Sequence, residues 1–169
     1  SGFKDVRGLA IDNIPTLYDA KKLARILELS FNLDNEIKGL TLNILFGMKP
    51  AEALDELRGA VAQSLRIGGE GIPADIAAKL CSQISEMADV DVLTKIIMAY
   101  VDDARRPVED FSKLEALVND PAELQRVMAV LKFKKNHAYL NSDTLDKLVS
   151  QILKVEDVIA LDSIVIKLT

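Results

Sequence analysis

The chain offers nucleophilic and metal-ligating chemistry one cysteine and one histidine. Cys81 stands beside Leu80 in KLCSQI, and no histidine in that segment could take its proton. His137 stands far along the chain, in the connector KFKKNHAY. A Cys–His pair would need the fold to bring the two together, and a metal site would need carboxylates to complete its ligand set. The acidic pairs Asp102-Asp103 and Glu156-Asp157 have the pattern of solvated helix ends instead. GGEG at 68–71 has a phosphate loop's glycines, but no Gly-Lys-Ser/Thr follows and Glu70 would repel a phosphate. These residues predict a buried structural thiol, a connector histidine and a hinge at 66–71. No catalytic residue, cofactor or metal is expected.

Two further stretches could contact a partner. Lys132-Phe133-Lys134-Lys135 is a basic cluster with an aromatic, which could touch phosphates or simply complement a helix C-terminus. Residues 158–168 carry Val158, Ile159, Leu161, Ile164, Val165, Ile166 and Leu168, with a narrow polar strip at Asp162, Ser163 and Lys167. On a helix, Leu161, Ile164 and Leu168 are expected to face the core. Ile159 and Ile166, seven apart, then form a second apolar side, which is the candidate partner-binding surface.

The elements that would position these residues follow from periodicity. The chain has 169 residues, is 49% apolar without Trp, and carries a net charge of −5. That length can bury a core. The negative charge argues against a broad polyanion-binding face. One cysteine excludes an intrachain disulfide, and no apolar run reaches the roughly 18 residues of a membrane span. A start at Ser1 is expected from a removed targeting peptide or a tag scar.

Residues 72–100 and 140–168 share Asp75/Asp143, Lys79/Lys147, Leu80/Leu148, Ser82-Gln83-Ile84/Ser150-Gln151-Ile152, Asp89-Val90/Asp157-Val158, Leu93/Leu161 and Ile96/Ile164. The offset of 68 is twice 34. A middle copy at +34 places Pro107, Lys113, Leu114 and Val118 on Pro73, Lys79, Leu80 and Ile84. An earlier copy sets IPTLYDAKKLARILEL (14–29) on 72–87. A 34-residue period predicts stacked helix–turn–helix units. The expected architecture is all-α, a right-handed α-solenoid of about nine helices. Residues 1–13 are expected to form an extended arm and 14–169 one domain, with units near 14–49, 72–105, 106–139 and 140–169. Residues 50–66 are an extra helix. Pro73 should lie in a first turn, Asp89, Asp34 and Asn141 or Ser142 should cap helices, and the β-branched 163–169 could be extended instead.

The period, the proline near each unit's start, the early apolar pairs Leu80-Cys81 and Leu148-Val149, and the missing Trp-Leu-Gly-Tyr signature resemble the pentatricopeptide repeat family. Such arrays bind single-stranded RNA, one base per unit. The positions that would read bases fall near Ala77 or Ala78, Phe111 or Ser112, Leu145 or Asp146, and Val108, so most of that code is missing. More narrowly, the size, acidity and degenerate units resemble the eighteen-kilodalton accessory subunits on the catalytic head of euglenozoan mitochondrial ATP synthases. That resemblance implies a non-catalytic protein in the mitochondrial matrix, peripheral to the inner membrane, bound to the ATP synthase alpha subunit without a small-molecule substrate. The alternative is an organellar RNA-binding protein.

Overall fold

A computed structural model describes residues 2–48, 51–67, 71–101 and 111–168. Among them the chain is all-α. The helices are α1 (Gly2–Asn13), α2 (Ala20–Ser30), α3 (Asn35–Gly47), α4 (Ala51–Ile67), α5 (Ala74–Cys81), α6 (Met87–Tyr100), α7 (Ser112–Val118), α8 (Pro121–Asn136), α9 (Ser142–Val149) and α10 (Asp157–Leu168). A 3-10 turn spans Ile14–Thr16, and no strand occurs among the described residues. The chain divides into two compact units, Ser1–Val90 and Asp91–Thr169.

In the first unit, α2 packs on α3 and α4, α4 on α5, and α1 on α3. The apolar stripes that bring them together hold Leu23, Leu27, Leu42, Leu45, Leu57 and Leu80, all buried. Asp19 starts α2 by accepting the Lys22 N–H, and Asp34 starts α3 by accepting those of Glu36 and Ile37. Buried Ser30 and Ser64 bond the carbonyls four residues back, so neither hydroxyl is left dry.

Three expectations change here. Residues 2–13 are helical rather than extended. Neither of its glycines, Gly2 and Gly8, breaks it. The first helix of the 14–49 unit starts at Ala20, after the 3-10 turn and an extended Leu17. The likeness of 14–29 to 72–87 is therefore not a shared helix boundary, because α5 starts two residues after Ile72. Pro73 stands one place before α5, at its cap, instead of in the first turn. Pro50, Pro107 and Gly68 to Glu70 of the joint at 66–71 lie outside the described residues.

In the second unit, α7 packs on α8, and α8 on α9 and α10. Phe133, Ile152, Leu161 and Val165 form the buried centre, with Val130, Leu148 and Val158 around it. Asp120 caps α8 with Pro121 directly after it, and Asn141 caps α9. Residues 157–168 are helical, not extended. Val165 takes the core place expected of Ile164, which is 45% exposed.

The 68-residue likeness coincides with repeated hydrogen bonds. Helices α5 and α9 are eight residues each and end at equivalent places, sooner than their apolar stripes suggest. Ser82 Oγ donates to the Lys79 carbonyl and Ser150 Oγ to that of Lys147. After them Asp89 Oδ2 accepts the N–H groups of Ser85 and Glu86, and Asp157 Oδ2 those of Leu153 and Lys154. Both aspartates lie inside the next helix and reach back over its start, rather than occupying the cap itself. The preceding helix supplies an arginine. Arg58 Nε and Nη2 donate to the Ile84 carbonyl at 3.0 and 2.7 Å. Arg126 Nη1 donates to that of Ile152 at 3.3 Å. Each arginine has an acid three residues before it, Asp55 at 3.9 Å and Glu123 at 2.7 Å. The hydrogen bonds from Arg126 hold the Glu123 carboxyl below its usual range.

In the middle copy, at the offset of 34, Leu114, Val118, Leu124 and Val127 are buried like Leu80, Ile84, Val90 and Leu93, and α8 starts 34 residues after α6, whereas α7 starts 38 after α5.

The clasp yields a stability prediction. Arg58→Met should lower the unfolding free energy by about 1–2 kcal/mol, the low end for bonds to a charged donor because the side chain is partly exposed. Arg126→Met should cost less, since its bond to the carbonyl is longer. Urea denaturation of the two variants checks the order.

Candidate partner-docking surface

The two residues with catalytic potential belong to different units. Cys81 is 1% exposed in the first unit, packed with Ile76 and Leu80 on one face of α5. Burial pushes its thiol up to about 12, and the nearby Arg58 charge offsets only part of that. His137 belongs to the second unit and is no simple connector residue. It closes α8, its ring 4.4 Å from that of Phe133. Its Nε2 lies 2.8 Å from Asp162 Oδ1 of α10, and its Nδ1 3.1 Å from the Tyr139 hydroxyl. The ring thus tethers the end of α8 to α10. Sequence alone gave no signal for this tether, which depends on the turn 137–140 folding His137 back.

Other candidates have equally plain surroundings. No group of three or more His, Cys, Asp or Glu that could hold a metal occurs among the described residues. Lys135 of the basic cluster pairs with Asp91 at 2.9 Å, and Phe133 is in the core. Asp102-Asp103 and Gly68 to Glu70 lie outside the described residues. Of the base-reading positions, Ala77 is buried but its alternative Ala78 is exposed, as are Ser112 and Asp146, and Val108 lies outside the described residues. No helix among the described residues is long and apolar enough to cross a membrane. A groove of about 550 Å³ beside α2 and α4 is lined by both signs of charge, Lys21, Arg25, Glu28 and Glu56 among them. A second groove, about 400 Å³ and apolar, is lined by Leu17, Ile26, Leu29, Leu33 and Ile37.

Exposed apolar side chains gather near the end of the chain. Ile159 is 74% and Ile166 71% exposed, both on α10. Leu153 and Val155, in the turn before that helix, are exposed as well. The rotation of α10 is fixed, because Leu161 and Val165 on its opposite side are buried and Asp162 meets His137. The two isoleucines therefore project from a helix whose rotation the core has already set. No protein-family model, no curated protein and no solved structure matches this chain.

The thiol gives a test. Cys81 should not react with a thiol-specific disulfide reagent at pH 8 in the native protein, and should react fully in urea. The pH dependence follows from the raised value. The unfolded thiol ionises near 9 and the folded one near 12, so this stabilisation is complete below 9 and lost as pH rises from 9 to 12. Reaction of the native thiol at the rate of the unfolded one would contradict its burial.

Proposed function

We propose that the chain is a non-catalytic accessory protein that binds another protein through α10. The observation that carries this is the exposure of Ile159 and Ile166 on a helix whose other side is anchored in the core. An apolar surface left in water by a folded unit is characteristic of a contact between chains.

In this proposal the helices stack as a right-handed α-solenoid of degenerate pentatricopeptide-like units. The partner is the alpha subunit on the outer face of the mitochondrial ATP synthase catalytic head, in the matrix, and the bound protein supports assembly or stability of that head. The resemblance in size, acidity and repeat length supports this choice of partner. An RNA reader is disfavoured because the net charge is negative and most of the base-reading code is missing.

Ile159→Lys combined with Ile166→Lys should leave the helicity of the isolated protein unchanged and its melting point within a few degrees, while co-purification with the partner fails. Unfolding of the double variant would place the two isoleucines in the core. RNA binding is checked alongside. Filter binding at physiological salt should show no tight affinity for any oligonucleotide, because the net charge is negative. Nanomolar binding lost on mutating Lys132, Lys134 and Lys135 would favour the RNA alternative.

A further inference from the structure

The apolar groove of the first unit has a chemistry of its own. Helix α2 turns Leu23 and Leu27 into the core, where both are 0% exposed. Its next edge carries Ile26 and Leu29, and apolar residues continue at Leu33 and at Ile37 in the first turn of α3. The fold does not bury this second row. Ile26 and Ile37 are half-buried, and Leu29 and Leu33 are 60% and 87% exposed. Leu17, extended after the 3-10 turn, and Ala10, in the last turn of α1, complete the lining with buried Ile14. Four successive elements thus surround about 400 Å³, a volume within the ordinary range of small-ligand sites.

The polar groups around the groove narrow the choice of occupant. Ser30 Oγ donates to the Ile26 carbonyl at 2.8 Å and the Asn13 amide to that of Leu9 at 2.6 Å, so both are turned to the fold. Asp34 accepts the N–H groups of Glu36 and Ile37, and it is the one charged residue among the described lining. Lys38, one turn further along α3, is held over the Phe31 ring at 3.9 Å. An anionic head would therefore be desolvated beside a carboxylate with no lining cation to offset the cost. Size separates a single chain from a helix. Two turns of α-helix fill roughly 850 Å³, as a cylinder about 10 Å wide and about 11 Å long, which is about twice the groove. At roughly 30 Å³ for a group the size of a water molecule, the groove takes about a dozen methylenes. We propose that it binds an uncharged, single-chain hydrocarbon ligand of that length, held by apolar contact and not converted. The site lies in the first unit and is independent of docking through α10.

Methyl NMR of the full chain with isotope-labelled isoleucine tests this, using 1-decanol and decanoate at pH 8 as the probes. Decanol should shift the methyls of Ile14, Ile26 and Ile37 saturably and leave those of Ile159 and Ile166 in place. Decanoate should bind at least about tenfold more weakly, since its charge gains no partner. Across the straight-chain alcohols, affinity should rise with length and level off near about a dozen carbons, where the groove is full. Leu33→Lys sets a cation at the rim, on a side chain exposed enough to change without loss of the fold, and should let decanoate bind as decanol does. No saturable shift at Ile14, Ile26 and Ile37, or equal shifts at Ile159 and Ile166, would overturn the site. Decanoate binding to the parent chain as tightly as decanol, or still failing to bind in Leu33→Lys, would overturn charge as the basis of selection and with it the uncharged ligand. Affinity that keeps rising well beyond a dozen carbons would overturn the assigned length.

Discussion

The short turns that follow α5 and α9 set the terms for the rest of the structure. Each runs past a core, where backbone groups need partners as much as side chains need burial. Arg58 or Arg126, from the helix before, holds the turn's last buried carbonyl. Asp89 or Asp157, from the helix after, accepts its N–H groups. Three successive helices are thereby tied at one point by polar bonds, and Ile84 or Ile152 can insert its side chain beneath it. Much of the sequence identity between 72–100 and 140–168 traces to this arrangement. Ser82, Ile84 and Asp89 recur because they build the turn, and Leu93 and its counterpart Leu161 are both buried. Nothing in the structure explains why Gln83 recurs at Gln151.

The helices were readable in part. Asp34 and Asn141, expected as caps, start α3 and α9, and the extra helix expected at 50–66 corresponds to α4, whereas Asp19 and Asp120, which cap α2 and α8, were not singled out. What the pattern hid is physically specific. The stripe through Ile84 continues in sequence past the point where Ser82 closes α5, so periodicity overestimated that helix. The clasp arginines are invisible to periodicity, since Arg58 and Arg126 look like solvated residues until their distant carbonyl partners are known. The weakly amphipathic segment before Ile14 read as extended because it lacks a stripe, yet it forms α1.

The candidate docking surface was readable in part. A helix of β-branched and leucyl residues has more apolar surface than one contact can bury, which singled out Ile159 and Ile166, and both are exposed. Choosing between Ile164 and Val165 for the core required the exact rotation of α10. That rotation is set by Phe133 and by the His137–Asp162 tether, neither of which is local in sequence.

The central claim is that this is a protein-binding subunit, and identifying its natural company tests that most directly. The tagged full chain would be purified from its own cells at moderate salt, with nuclease present, and its companions quantified by mass spectrometry. The account predicts that the alpha subunit and the other catalytic-head subunits of the mitochondrial ATP synthase are recovered in fixed proportion and withstand the nuclease. Recovery of the chain alone, or with companions that nuclease removes, would contradict it.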